Sequence, residues 1–222
     1  MYRIFPSPKQ CTFYHNTLSC TSYGSVTTAP EIEESCRAAG FDPAPLLASV
    51  FPGGFSPEGI TLTAEYVSCA PEGFQLNIAP SSIRISCGDG AGFFYALGVL
   101  VQLAAQAGGT LPCAEIADEP VLSVRGIMLD IGRDKIPAME TLRRLIDLFA
   151  SMRINHLQMY MEGFSFDYED FHYLFTNETP MTPAEFRELS LYARAHFIDL
   201  VPNQNVLGHM EKWLEKPQFR SL

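Results

Sequence analysis

The sequence predicts an α/β chain in two parts. Residues 1–118 read as a small α+β domain of sheet and helices, and 119–222 as the first three strand–helix units of a TIM (β/α)8 barrel. Three observations predict it. Alternating apolar–polar runs cluster in the first half, strand and helix patterns take turns in the second, and an acidic, turn-forming stretch from Pro112 to Pro120 lies between them.

In the first half Thr61–Val67 is β-branched and alternating. Phe74-Gln75-Leu76-Asn77-Ile78 and Ile83-Arg84-Ile85-Ser86 also alternate, and the turn-rich Ala79-Pro80-Ser81-Ser82 joins them, so a hairpin with one buried face is expected. Gly88-Asp89-Gly90-Ala91-Gly92 breaks the chain. Phe93, Ala96, Leu97, Leu100 and Ala104 then recur at three-to-four spacing. That helix is apolar almost all round, as suits one lying flat on a sheet, and Gly108-Gly109 ends it.

In the second half Val124–Ile131 reads as a strand, and Leu142, Leu145, Ile146 and Phe149 mark a helix. His156–Met161 is a second strand. Thr182-Pro183-Ala184-Glu185 is a capping box with proline at the first helical position, followed by the stripe Phe186, Leu189, Tyr192 and Ala193. Ile198–Gln204 is a third strand, and Gly208–Leu214 opens a third helix. Right-handed crossovers then give a parallel sheet, whose ligands sit at the carboxyl ends of the strands. About 100 residues follow the junction, whereas a whole barrel takes about 250. A fragment is therefore expected, with both sheet edges open and an apolar interior uncovered.

Composition excludes several roles. A net charge of −10 disfavours nucleic acid and anionic membranes, which need clustered Lys and Arg. Residues 1–120 hold four basic and eleven acidic side chains and 121–222 eleven and fourteen, which reads as a solvated acidic surface. The opening Met1–Pro8 lacks the apolar run of a secretory leader, and no stretch reaches the roughly 20 apolar residues of a membrane span, so a cytoplasmic chain is expected. The six cysteines form no C-x-x-C pair and read as buried or half-buried free thiols. No P-loop, G-x-S-x-G or zinc motif is present, and no cofactor or metal is expected.

The strand-end rule singles out Asp130 and Arg133, Glu162, and then Asn203, Asn205 and His209. Such a convergence suits a polyhydroxylated ligand, because carboxylates and guanidinium groups engage vicinal hydroxyls in pairs. Each residue also has a plainer reading. Asp130 and Arg133 fit a structural ion pair, His209 beside Gly208 fits a helix cap, and Trp213, the only tryptophan, fits a core position as well as a plate for a sugar face. Arg125, at the start of its strand, reads by position as a salt-bridge residue. In the segment Glu162 to Phe171, Glu162 lies nearest the strand end and is the chosen carboxylate. Asp167, Glu169 and Asp170 read as a solvated loop face.

Arg125-Gly126-Ile127-Met128-Leu129-Asp130-Ile131-Gly132-Arg133 resembles the first barrel strand of glycoside hydrolase family 20, the β-N-acetylhexosaminidases. Ile154–Met159 is similar to the family's second strand, and Val201-Pro202-Asn203-Gln204-Asn205-Val206-Leu207-Gly208-His209 to its V-P-E-x-D-x-x-G-H segment. Gly73–Leu76, Gly92–Leu97 and Gln102-Leu103 resemble its small domain. The resemblance implies exo-hydrolysis of terminal N-acetylglucosamine or N-acetylgalactosamine with retention, the substrate's acetamido group serving as nucleophile. It implies that Arg125 binds hydroxyls of the terminal sugar, overriding the positional reading, and that His209 supports the active-site network with Asn205 as its partner. Asp130, Glu162 and Trp213, chosen by position and chemistry, are the other expected substrate-binding residues. Two departures mark a divergent branch: Met161-Glu162-Gly163-Phe164 replaces a D-D-Q-x-W-like segment, and Asn205 replaces an acid. The family's Asp-Glu pair follows a fourth strand, so residues 1–222 are expected to be inactive alone. The alternative function is a non-catalytic module that binds carbohydrate or assembles with a partner.

Overall fold

In the computed structural model, which describes residues 2–133, 135–174 and 179–219, the chain divides into two units. One is Met1–Ser123 with Ser151–Arg153, the other Val124–Ala150 with Ile154–Leu222.

The first unit is built on a six-stranded mixed sheet of β1 (Gln10–Ser19), β2 (Tyr23–Thr28), β3 (Ile60–Tyr66), β4 (Phe74–Ile78), β5 (Ser82–Cys87) and β6 (Thr110–Asp118), in the order β1-β6-β4-β5-β3-β2. The predicted hairpin is β4–β5, antiparallel from Phe74 opposite Cys87 to Ile78 opposite Ile83. Its period-two pattern buries Phe74, Leu76, Ile78, Ile83, Ile85 and Cys87. Three helices complete the unit: α1 (Pro30–Ala39), α2 (Ala44–Val50) and α3 (Gly90–Ala107).

Two elements of this unit differ from their sequence expectation. The glycine run does not break the chain before α3 but forms its first turn. Asp89 is the N-cap, and its Oδ1 accepts from the Gly92 amide at 2.7 Å. A Cβ at Gly92 would stand 2.4 Å from the Gly73 carbonyl oxygen, so close packing requires glycine there. The stretch from Pro112 also does not form a turn; most of it is strand β6, paired with β1 and β4. Proline is tolerated because β4 pairs β6 only from Ala114 onward, and Pro112 faces β1 beside that strand's register shift between Phe13 and Thr17. By length and apolarity α3 would pass for a membrane span, yet Leu97, Leu100 and Leu103 are completely buried and it is a core helix of this unit.

All six cysteines are free. Cys20, Cys36, Cys87 and Cys113 are buried, while Cys11 and Cys69 are exposed, contrary to the expectation of general burial. Burial pushes the Cys36 thiol up to about 11 and the Cys87 thiol up to about 12.

The second unit alternates as predicted: β7 (Gly126–Asp130), α4 (Met139–Ser151), β8 (His156–Met161), α5 (Pro183–Ala195), β9 (Asp199–Gln204) and the short α6 (Glu211–Leu214). The strands are parallel in the order β7-β8-β9. Leu142, Ile146, Phe149, Leu189 and Ala193 bury the helices' inner stripes, and Thr182 and Glu185 close the predicted capping box. Between α4 and α5 the Tyr192 hydroxyl donates to Asp147 Oδ1 at 2.6 Å, and Arg143 pairs with Glu188.

Alternation along β8 sends Leu157, Met159 and Met161 into the buried layer and His156, Gln158 and Tyr160 to the opposite face. That opposite face is not the apolar interior expected from the sequence. Asn203 Nδ2 donates to Gln158 Oε1 at 3.1 Å, and Gln158 Nε2 lies 3.3 Å from His156 Nε2, so a polar ladder runs across it, with Met128 as its apolar member.

Candidate active site

The carboxyl ends of β7, β8 and β9 bring five of the singled-out side chains into one network. After β7 the chain turns sharply, with Asp130 Oδ1 accepting from the amides of Gly132 and Arg133 at 2.9 and 3.2 Å. The turn delivers the Arg133 guanidinium, whose Nε lies 2.8 Å from Asp130 Oδ2 and 3.6 Å from Glu162 Oε2. Asp130 and Arg133 are thus an ion pair, as the plainer reading held, but one that reaches on to Glu162.

Glu162 follows β8 directly and is the centre of the cluster. Its Oε2 accepts from the Tyr160 hydroxyl at 3.0 Å, while its Oε1 lies 3.7 Å from His209 Nδ1. The Arg133 guanidinium also stands over the Tyr160 ring, 5.3 Å from its centroid. Asn205, just past β9, donates from Nδ2 to the Tyr160 oxygen at 2.7 Å. The structure therefore couples Asn205 to Glu162 through Tyr160, a residue the sequence reading passed over. The signal was available: on β8 it has the parity of Gln158 and Glu162, which places all three on one face.

His209 has a left-handed backbone, φ 55°, a conformation that costs a non-glycine residue energy and recurs at functional positions. It does not cap the following helix, because the N-cap of α6 is Met210 and no side chain caps it. Trp213 is 7% exposed. Its ring makes edge contacts with Phe164, Tyr168, Phe171 and Phe219, and its Nε1–H donates to the Gly163 carbonyl at 3.0 Å. The ring is a core element that braces the residue after Glu162, rather than a plate presented to a ligand.

Arg125 lies just before β7, its backbone exchanging hydrogen bonds with Asn155. Five residue steps lead from it to Asp130, about 16 Å at the usual rise, so it stands at the other end of β7 from the Glu162 cluster. Asn203 joins the polar ladder below the strand ends. Asp167 is not part of a solvated face as expected: its carboxylate is largely buried and accepts from His172 Nδ1 at 2.9 Å, whereas Glu169 and Asp170 are exposed. Tyr168 ties the same loop to the end of β9 by donating to Gln204 Oε1 at 2.7 Å.

A cavity of about 480 Å³ opens against this cluster, lined by Arg133, Glu162, Phe164, Met181 and Lys212 among others. That volume lies within the roughly 300–1,000 Å³ of small-ligand pockets. The Glu162 carboxylate, the Arg133 guanidinium and the Lys212 amine in its lining supply the acceptors and donors that sugar hydroxyls and amides need. Among the described residues no three His, Cys, Asp or Glu side chains converge as a metal site.

Comparison with known proteins agrees with this architecture. Residues 1–119 match the family description "Glycosyl hydrolase family 20, domain 2", and residues 123–221 match "Glycosyl hydrolase family 20, catalytic domain". The chain is 28% identical over 158 residues to a beta-hexosaminidase of Akkermansia muciniphila, covering 62% of this chain and 32% of that protein. It is 27% identical over 150 residues to a lacto-N-biosidase of Bifidobacterium bifidum, covering 67% and 13%. Among solved structures, a beta-N-acetylhexosaminidase from Bacteroides fragilis superposes with a TM-score of 0.79 at 22% identity, covering 95% of this chain and 46% of that one. A family 20 exo beta-N-acetylglucosaminidase from Vibrio harveyi, in complex with N-acetylglucosamine, gives 0.78 at 20% identity, covering 95% and 37%. The chain spans less than half the length of each of these proteins. Its two units are a small domain and the start of a TIM barrel, and the chain belongs to glycosyl hydrolase family 20.

Proposed function

We propose that this chain forms the front part of an exo-β-N-acetylhexosaminidase, supplying one side of the site that holds a terminal N-acetylglucosamine or N-acetylgalactosamine. The observation that carries the reading is Glu162, held at the carboxyl end of β8 with Oε1 toward His209 and a cavity of about 480 Å³ alongside, in a chain whose two halves both match the family.

In this reading the substrate is a glycan ending in an N-acetylhexosamine, and hydrolysis proceeds with retention through the substrate's own acetamido oxygen. Glu162 and Arg133 accept from and donate to sugar polar groups, and His209 carries a proton within the network. Arg125 binds hydroxyls of the terminal sugar. The Asp-Glu pair that orients the acetamido group and protonates the leaving oxygen comes from a following strand outside residues 1–222, so these residues alone bind without cleaving.

The test is release of nitrophenol by the full-length protein from the p-nitrophenyl β-glycosides of N-acetylglucosamine and N-acetylgalactosamine. Cleavage of at least one is expected; inertness toward both would overturn the reading. Calorimetry with N-acetylglucosamine on wild type and Arg125→Ala addresses the alternative of a non-catalytic binding module. Binding without cleavage by the full-length protein would favour that module, and binding indifferent to Arg125 would remove that residue from the sugar site.

A further inference from the structure

Glu162 and Asn205 look like two separate departures from the family pattern in the sequence. In the structure they are the two ends of one hydrogen-bonded chain, joined through the Tyr160 hydroxyl, 3.0 Å from Glu162 Oε2 and 2.7 Å from Asn205 Nδ2. We propose that Tyr160 and Asn205 are positioning residues that fix the Glu162 carboxylate, leaving Oε1 as the oxygen that meets an N–H or O–H donor of the N-acetylhexosamine. This rests on the hydrolase reading above and deepens it.

The direction of the hydrogen bonds requires this division of roles. An ionised carboxylate can only accept, so the phenol must donate its single proton to Glu162. The tyrosine oxygen then has only lone pairs left, and whatever touches it from residue 205 must be a donor. Asparagine can donate; aspartate cannot. With an acid at 205 the two carboxylates would compete for one phenolic proton and repel each other across it. A glutamate at 162 and an amide at 205 are therefore one linked choice, with Tyr160 as the link.

The same arrangement divides the two oxygens of Glu162. Oε2 is engaged by the Tyr160 hydroxyl and lies 3.6 Å from Arg133 Nε, whose guanidinium also covers the Tyr160 ring. Oε1 has the His209 imidazole 3.7 Å away, beyond hydrogen-bond length. Glu162 lines the cavity, and a donor group that meets Oε1 leaves the bridge through Oε2 in place.

The test uses the full-length protein with Tyr160→Phe, Asn205→Leu, the double variant and Asn205→Asp, assayed on p-nitrophenyl N-acetyl-β-glucosaminide from about pH 4 to 8. Tyr160→Phe should lower kcat/KM roughly ten- to hundred-fold, the range for a hydrogen bond to a charged group, and Asn205→Leu, which removes a bond between neutral groups, roughly two- to tenfold. The double variant should be no worse than the poorer single variant, because both break the same chain. Asn205→Asp should displace the acidic limb of the pH profile upward, a change that loss of packing alone would not produce. Single effects that multiply in the double variant, or an unmoved profile in Asn205→Asp, would overturn the proposal. Should wild type cleave nothing, the hydrolase reading fails by itself, and the coupling is read from thermal unfolding of the same proteins. Non-additive losses in Tm for Tyr160→Phe and Asn205→Leu support the bridge, and additive ones refute it.

Discussion

Gly132→Ala is the sharpest test of the geometry around Glu162. Gly132 follows β7, and an ideal Cβ placed there would stand 2.3 Å from the Glu162 amide nitrogen, 2.6 Å from its Cβ and 2.9 Å from its Cα. Ordinary contact begins near 3.4 Å, so the backbones of the β7 and β8 loops must part by about 1.1 Å, the difference between 3.4 and 2.3. Overpacking of this kind typically costs about 1–3 kcal/mol. Moving a positioned group by about 1 Å costs on the order of a hundredfold in rate. Gly132→Ala in the full-length protein should therefore lose about 1–3 kcal/mol in denaturant unfolding and about a hundredfold in kcat/KM for the nitrophenyl substrate. The control is Gly98→Ala, at a helical position in α3 where a Cβ meets nothing within 4 Å; it should stabilise the protein by about 0.5–1 kcal/mol. If Gly132→Ala keeps stability and activity within about twofold of wild type, the two strand ends are not in contact and the site as described is wrong.

Other consequences are open to simpler measurements. At pH 8 iodoacetamide should label Cys11 and Cys69 in the native protein. Cys36 and Cys87, buried and pushed up to about 11 and about 12, hold roughly a thousandth or less of thiolate there and should react only after unfolding; peptide mapping checks this. Tyr192→Phe removes the donor to Asp147 and should cost about 1 kcal/mol at neutral pH. Burial and the Asp147 hydrogen bond push the Tyr192 phenol up to about 12. Because its folded value exceeds the unfolded one near 10, that contribution is complete at neutral pH and is lost as pH rises toward 12, as unfolding at high pH should show. Trp213, the single tryptophan, should keep its fluorescence unchanged on adding N-acetylglucosamine. Quenching by the sugar would return it to the role of a plate.

The alternation of the second unit was legible because each element carries its own signal: the period-two run of β8, the i, i+3, i+4 stripe of α4 and the capping box of α5 all fall where the sequence places them. Half of the first unit was not. The first eight residues of β1 are exposed, so it offers no buried stripe to read. β6 hides behind Pro112 and its acidic residues, although pairing on both sides makes it a central strand. In the site, position along the chain identified Asp130, Arg133, Glu162, Asn205 and His209 as strand-end residues. It could not show which of them touch. Tyr160 was missed because a tyrosine within a strand has an ordinary place in a sheet, and its hydroxyl acquires meaning only once β9 brings Asn205 beside it. Trp213 was ambiguous because composition cannot distinguish a ring inside an aromatic cluster from one facing a ligand.

The polar face of the three-stranded sheet bears on how such a site stays in place. A strand's register is specified where a one-residue slip would exchange buried and exposed faces. In β8 that exchange would drive His156, Gln158 and Tyr160 into the layer now filled by Leu157, Met159 and Met161. Each polar group so buried without a partner would cost about 1–3 kcal/mol. The bond from Asn203 Nδ2 to Gln158 Oε1 crosses from β9 to β8 and exists in one register only. One residue of slip would also carry Tyr160 and Glu162 about 3.3 Å along the strand, more than the whole length of the 2.7 Å bond to Asn205. A polar strand face, which does little for a hydrophobic core, thus holds the carboxyl ends in step, and it is that step which lets three separate strand ends present one network.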